Sequence, residues 1–114
     1  MQPKFKLWLN SGNLQGVFGD GKCCLLDAIE GKGSLRAASQ SLGISYRKAW
    51  GDLKKAQAGL HTVLVEKRRG GRAGGQTVLT PEGKKWTDAY IGFRRDIEKA
   101  ISKAYQKHFR ELTS

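Results

Sequence analysis

The sequence predicts a single α+β domain in which helices outweigh short strands. The chain has 114 residues, enough for one small hydrophobic core. Helix-capping residues precede successive apolar-periodic segments between residues 20 and 60. Two short β-prone runs then flank a glycine-rich segment within residues 63–80, and a long helical pattern follows. These features predict an N-terminal strand, three helices, a hairpin and a long final helix.

The first element is predicted to be a strand over residues 4–9, KFKLWL. Phe5, Leu7 and Leu9 fall on one face of this segment, whereas Trp8 falls on the other. An alternation with period two is typical of a half-buried strand. The glycine-containing segment SGNLQG that follows is predicted to break the strand.

The first helix is predicted to begin at Asp20, whose carboxylate is a favourable N-cap. Leucine, alanine and isoleucine side chains supply an apolar side up to about Glu30. Gly31 and Gly33 then supply a stop, since glycine readily adopts the left-handed conformation that ends many helices.

A helix-turn-helix is predicted next. Ser34 caps a helix on which apolar residues recur at three- to four-residue spacing as far as Leu42, and Gly43 ends it. Ser45 caps the helix that follows. Two capped helices joined by a tight turn form an arrangement that places the second helix in the major groove of DNA.

The helix after Ser45 has two contrasting sides. A rotation of 100° per residue groups its apolar side chains, which are Tyr46, Ala49, Trp50, Leu53, Ala56 and Leu60. The opposite side carries Arg47, Lys48, Gly51, Lys54 and Lys55. Trp50 is predicted to anchor the core, whereas Tyr46 suits either the core or the groove. This helix can therefore turn its cationic side towards bases and phosphates.

Residues 63–80 are predicted to form a hairpin with a wide basic loop. The loop holds glycines at positions 70, 71, 74 and 75, which permit close approach of the backbone to a sugar-phosphate edge. Its charge comes from Lys67, Arg68, Arg69 and Arg72. A phosphate backbone is the partner expected for such a loop.

The last helix is predicted to begin at Thr80, Pro81 and Glu82 and to run nearly to Leu112. Residues 1–80 are predicted to form the DNA-binding part of the domain, and residues 81–114 its last helix. Apolar residues recur along the helix every three or four positions, a pattern that needs an apolar partner. We predict that a second copy of the chain supplies this partner, in a homodimer formed through Trp8, Trp86, Tyr90, Phe93, Ile97 and Ile101. For the first two turns of the helix, packing against its own domain is the alternative.

The formal net charge of +11 is concentrated in the helix-turn-helix and the hairpin, because +7 of it falls within residues 34–75. This concentration favours nucleic acid over a membrane surface as the partner. We expect a cytoplasmic protein, since no apolar run is long enough to span a bilayer. Adjacent Cys23 and Cys24 cannot bridge one another in the ordinary way.

Catalysis is not expected from this sequence. The carboxylates are scattered, metal-ligand spacing is absent, and GGRAGG lacks the ending and context of a nucleotide-binding loop. We therefore predict no catalytic residues, no metal site and no cofactor.

Three segments carry a family resemblance: ISYRKAW (44–50), RRGGRAGG (68–75) and VLTPEG (78–83). Together they resemble the N-terminal DNA-binding domain of ModE-type molybdate-responsive regulators, and more distantly LysR-type winged helices. The resemblance covers about residues 5–105. It implies a winged helix that dimerises through its long last helix and N-terminal strand region and binds operator DNA.

The resemblance transfers roles to matching residues only: Ser45, Tyr46, Arg47 and Lys48 on the recognition helix, with Arg68, Arg69 and Arg72 in the wing. ModE-type regulators also carry a C-terminal molybdate-binding module, which we expect to be lacking from this chain. A stand-alone regulator, part of a longer regulator, or a partner for a separate effector-sensing protein would each be consistent with the sequence.

The predicted function is a sequence-specific transcriptional regulator that binds double-stranded inverted-repeat DNA as a homodimer. The alternative is a nonspecific nucleoid-like or RNA-binding protein. The predicted DNA-binding residues are Ser34, Ser45, Tyr46, Arg47, Lys48, Gly51, Lys54, Lys55, Lys67, Arg68, Arg69 and Arg72.

Overall fold

The computed structural model describes residues 1–69 and 76–113, which form four helices and two antiparallel hairpins. The elements in chain order are β1 (Trp8–Ser11), β2 (Leu14–Gly19), α1 (Asp20–Lys32), α2 (Leu35–Leu42), α3 (Tyr46–Leu60), β3 (Val65–Arg68), β4 (Gln76–Leu79) and α4 (Pro81–Thr113). The predicted α+β winged helix-turn-helix class is confirmed.

The N-terminal element is a hairpin and not the single strand predicted over residues 4–9. β1 begins only at Trp8, and the segment thought to break it holds the turn and the first part of β2. Ser11 pairs with Leu14, so a glycine-asparagine turn joins the strands. Gly12 takes the positive φ of 57° that this turn uses. The predicted alternation holds, because Phe5, Leu7 and Leu9 are half-buried while Trp8 is exposed.

Helix α1 ends at Lys32, about two residues later than predicted, and its N-cap differs from the predicted one. Gly33 is its left-handed C-cap, with φ of 81°, and donates its N–H to the carbonyl of Ile29 at 2.8 Å. Gly31 lies within the helix. The prediction that Asp20 caps α1 is wrong, since Gly19 is the N-cap and no side chain caps the helix. The Asp20 carboxylate turns instead towards the N-terminal segment and α4.

The Asp20 carboxylate ties three parts of the chain together. It accepts hydrogen bonds from Arg94 Nε at 2.8 Å, from the Leu7 N–H at 3.1 Å and from the Tyr90 hydroxyl. The hydrogen bonds from Arg94, with smaller contributions from Tyr90, Leu7 and the Arg94 charge, lower the pKa of Asp20 to about 2 against the effect of burial. Burial, followed by the Asp20 carboxylate, raises the pKa of Tyr90. This network joins the segment before β1 and the first residue of α1 to Tyr90 and Arg94 of α4.

Both predicted caps of the helix-turn-helix are confirmed. The Ser34 hydroxyl accepts from the Ala37 N–H at 3.0 Å, and the Ser45 hydroxyl accepts from the Lys48 N–H at 3.0 Å. Gly43, with φ of 69°, ends α2 in the left-handed conformation. A short turn with defined ends therefore sets the angle between α2 and α3.

The core lies between β2, the three short helices and the first turns of α4. Its largest fully buried apolar side chains are Phe18, Leu26, Ile29, Leu53, Leu64 and Val17. Gly59 lets α3 approach β2 closely, because a Cβ at this position would lie 2.3 Å from Val17 Cγ1. The apolar side of α3 therefore packs against the core, which we call the body of the domain together with the elements around it.

The second hairpin, β3–β4, is the predicted wing. Val65 pairs with Leu79, and Arg68 pairs with Gln76 at the far end. Gln57 of α3 anchors the wing, because its Oε1 accepts from the Leu64 N–H at 2.8 Å. The glycine-rich loop with Arg72 lies outside the described residues.

Helix α4 begins and ends where the sequence predicts. The Thr80 hydroxyl caps it by accepting from the Gly83 N–H at 2.9 Å. Of its 33 residues, only Gly83, Thr87 and Tyr90 are buried. The C-terminal part of the helix extends beyond the other elements, which gives the described residues dimensions of 59 × 31 × 24 Å.

Candidate nucleic-acid interface

The core fixes which side of α3 meets solvent. Ala49, Leu53 and Ala56 are buried, so the opposite line of the helix points outward. Arg47 and Gly51 are exposed on this line. Since Gly51 has no side chain and nothing lies within 4 Å of a Cβ built there, the middle of α3 can approach a ligand closely.

One flank of α3 shares a cleft with the wing. Tyr46 and Trp50 line this cleft, of about 660 Å³, together with residues of α2, β3 and β4. The cations around it are Arg36, Lys67, Arg68 and Arg69. We call this the wing cleft. It places part of the predicted recognition helix next to the predicted wing cations.

Trp50 does not anchor the core, so the prediction for it is wrong. Its side chain is 47% exposed at the wing cleft, and the Lys54 ammonium lies 6.0 Å from its ring centroid. Periodicity placed Trp50 only at the edge of the apolar stripe. Alanines and a glycine fill the core side of α3, which brings the helix close to the body and leaves the large ring outside.

Tyr46 also lies on the surface, with 43% of its area exposed. The Arg36 guanidinium stacks over its ring at 4.7 Å from the centroid. Arg36 was missed by sequence reasoning, although it is exposed one position into α2 after the Ser34 cap. The one indication in the sequence was its position in the first turn of the predicted helix, two residues after the Ser34 cap.

The other flank of α3 faces the start of α1. The Lys48 ammonium lies 3.2 Å from Asp52 Oδ2, and both residues line a concavity of about 530 Å³ that also includes Lys6 and Lys22. Burial is the main cause of the lowered pKa of Lys22, and the charges of Lys55 and Lys48 lower it further. Sequence reasoning missed Lys22 because it precedes the helix-turn-helix.

The cations at the end of β3 are exposed to solvent. Lys67, Arg68 and Arg69 are exposed, and Arg68 makes a 3.6 Å surface ion pair with Glu66. An exposed pair of this kind is weak and leaves the guanidinium available to a phosphate. Arg72, the remaining predicted wing cation, lies in the part of the chain that is not described.

The residues predicted for dimerisation differ in burial. Tyr90 is only 4% exposed and meets Phe18 edge-on at 5.4 Å, so it packs within its own subunit. Trp86 is half-buried against the same ring. Phe93 is 46% exposed on the extended part of α4. Trp8, at 58%, is exposed on β1, while Ile97 and Ile101 are half-buried.

The described residues give little support for a metal site, a reactive thiol or a membrane-spanning helix. Among residues 1–69 and 76–113, no group of three or more histidine, cysteine or acidic side chains could hold a metal ion. Burial raises the pKa of Cys23 to about 11, which disfavours the reactive thiolate. Within the same residues, no helix has the length and apolar character needed to cross a bilayer.

Sequence comparison identifies several similar proteins. "Molybdenum-pterin-binding protein MopB" of Rhodobacter capsulatus is 37% identical over 81 residues, which cover 71% of this chain and 30% of that protein. "DNA-binding transcriptional dual regulator ModE" of Escherichia coli K12 is 34% identical over 77 residues, covering 67% and 29%. The chain therefore spans less than a third of the length of these relatives. No family model matches it.

Comparison with solved structures identifies proteins of similar fold. Oxidized OxyR of Corynebacterium glutamicum superimposes with a TM-score of 0.54 at 23% identity, over 74% of this chain and 26% of that one. The DNA-binding domain of CbnR, solved in complex with DNA, superimposes with a TM-score of 0.55 at 22% identity, over 82% and 97%. At these identities the likeness establishes the fold.

Proposed function

Since this chain is a ModE-like winged-helix domain, we propose that it is a sequence-specific DNA-binding transcriptional regulator. One observation carries the proposal: α3 and the wing cations border a single cleft on one side of the molecule. The helix supplies Tyr46 and Trp50 to this cleft, and β3 supplies Lys67 and Arg68. A helix beside a cationic hairpin matches the surface of a duplex.

In this proposal, α3 enters the major groove along its outward line. Arg47 lies near the N-terminus of the helix, where base contacts concentrate, and its guanidinium can donate two hydrogen bonds to a guanine. Gly51, one turn later, lets the helix lie close to the base edges. Arg47 is therefore the residue to which we assign sequence discrimination.

The wing and the flanks of α3 then hold the sugar-phosphate backbone. Lys67, Arg68 and Arg69 are exposed cations at the end of β3 and suit phosphate contacts. Stacking of Arg36 on Tyr46 orients a further guanidinium at the wing cleft. These contacts position the domain on DNA, while Arg47 discriminates between bases.

We further propose that two copies bind an inverted repeat through α4. The helix extends beyond the body and exposes Phe93, with Ile97 and Ile101 further along the same side. An apolar seam that its own domain covers only in part favours a second copy of the chain. Two recognition helices would then enter successive major grooves.

Selection of bound duplexes from a random pool tests this function. The proposal predicts a palindromic consensus with half-sites about one helical turn apart. An absence of enrichment, with equal affinity for shuffled duplexes, would instead support the nonspecific nucleoid-like alternative. Tighter binding of single-stranded or duplex RNA in the same assay would support the RNA-binding alternative.

A further inference from the structure

The side of α3 away from the wing carries its own cluster of cations. Lys48 and Lys55 lie two helical turns apart on this flank of α3, and Lys22 lies in the first turn of α1 beside Lys48. We call Lys22, Lys48 and Lys55 the lysine cluster. Lys22 and Lys48 line the same concavity, of about 530 Å³, so the two helices contribute to one surface.

The charge of the lysine cluster is only partly neutralised by its neighbours. Asp52 accepts a hydrogen bond from Lys48 at 3.2 Å and is the acid that acts on Lys22. Lys48 and Lys22 therefore share the Asp52 carboxylate, while the Asp20 carboxylate, which also lines the concavity, is paired with Arg94. Burial is the main cause of the lowered pKa of Lys22, and the charges of Lys55 and Lys48 lower it further, so both of these cations repel Lys22. A bound anion would relieve this repulsion.

The position of the cluster specifies the anion, and this step rests on the proposed function. The major groove is about 12 Å wide, close to the diameter of a helix with its side chains. When the outward line of α3 faces the floor of the groove, one phosphate backbone runs along each flank. The wing cleft then meets one strand, and the lysine cluster meets the other.

We propose that Lys22, Lys48 and Lys55 form a second phosphate site, which holds the DNA strand opposite to the strand contacted by the wing. Lys22 is the residue that adds α1 to the interface. The domain therefore contacts the phosphate backbones of both DNA strands in one half-site, and α3 lies between them.

Replacement of Lys22 tests the site. The Lys22→Gln variant should bind a mixed-sequence duplex of about 30 base pairs, roughly three helical turns, about three- to tenfold more weakly. It should weaken binding to the selected duplex by the same factor. The slope of log affinity against log salt should fall by about 1 for both duplexes. Lys22→Arg should restore the affinity, because a phosphate accepts either cation.

Single neutral methylphosphonates, scanned along each strand, locate the contact. Wild-type protein should lose affinity at two sets of positions in one half-site, one on each strand. Lys22→Gln should become insensitive only at the position on the strand away from the wing. Lys99→Gln is the matched control, since it removes the same charge from an exposed residue on the side of α4 away from its apolar seam.

The outcomes separate this site from the proposed function. If wild-type protein fails to bind duplex DNA, the proposed function is wrong. If wild-type and Lys99→Gln bind equally while Lys22→Gln keeps both the wild-type affinity and salt slope, the function stands and the second site is wrong. Should Lys22→Gln fail to fold, the wild-type scan decides, because sensitivity on one strand alone would overturn the proposal.

Discussion

At the scale of single residues, the proposed division of roles on α3 separates specificity from affinity. Arg47→Ala should lose about 1 to 3 kcal/mol on the selected site and relax the base preference there. Lys55→Ala should weaken binding to all sequences alike and lower the salt slope by about 1. Titrations of both variants on selected and shuffled duplexes measure this. Equal effects of the two variants on both duplexes would contradict the assignment.

The surface position of Trp50 makes a second prediction. Trp50→Ala should lower the free energy of unfolding by less than about 2 kcal/mol, because the ring is half-exposed, and should reduce DNA affinity. Leu53→Ala, at a position that is 2% exposed, should cost about 2 to 5 kcal/mol. Chemical denaturation compares them. A loss for Trp50→Ala as large as that for Leu53→Ala would show that the ring is part of the core.

The hydrogen bonds of Asp20 predict that the stability of the fold falls in acid. The pKa of Asp20 is lowered from 3.8 to about 2 in the folded protein, so its contribution to the free energy of unfolding is present above about pH 4 and is lost as pH falls towards 2. Asp20→Asn should cost about 1 to 2 kcal/mol at pH 7, allowing for its partial exposure to solvent. The difference from wild type should shrink between pH 4 and 2.

Thermal melts across this pH range check the expectation. Glu98→Gln, which removes the exposed partner of Arg94, is the control and should have a much smaller effect. A difference between Asp20→Asn and wild type that stays constant from pH 7 to pH 2.5 would contradict the account.

At the scale of elements, sequence patterns predicted most of the architecture. The Ser34, Ser45 and Thr80 caps and the left-handed Gly33 and Gly43 are local features whose chemistry is visible in the sequence. The N-terminal hairpin was missed because its glycine-asparagine turn resembles any strand break. Asp20 was misassigned because its partners Tyr90 and Arg94 lie more than 60 residues away.

Helix α4 yields a prediction at the same scale. Phe93→Asp places a charge on the exposed part of the apolar seam and should convert a dimer to a monomer. Lys99→Asp, on the opposite side of the helix, should leave the assembly unchanged. Sedimentation of both variants at equal concentration tests this. A wild-type protein that is monomeric at all concentrations, with or without DNA, would exclude the proposed dimer.

At the scale of the whole molecule, the interface depends on how elements pack, and a sequence shows this only in part. The charge pattern identified α3 and the wing as cationic. It gave no indication that Arg36 stacks on Tyr46, or that Lys22 of α1 lines the same concavity as Lys48, because these arrangements join separate elements. Alanine and glycine at the α3 contact determined that the helix sits close to the body and that Trp50 stays outside.

Joint binding of one duplex by α3 and the wing can be followed in backbone amide spectra recorded while the selected duplex is added. Residues 46–55 of α3 and 65–69 of the wing should shift together with one dissociation constant, while residues 95–113 of α4 should shift little unless they report dimer formation on DNA. Shifts confined to α4, or different dissociation constants for α3 and the wing, would contradict it.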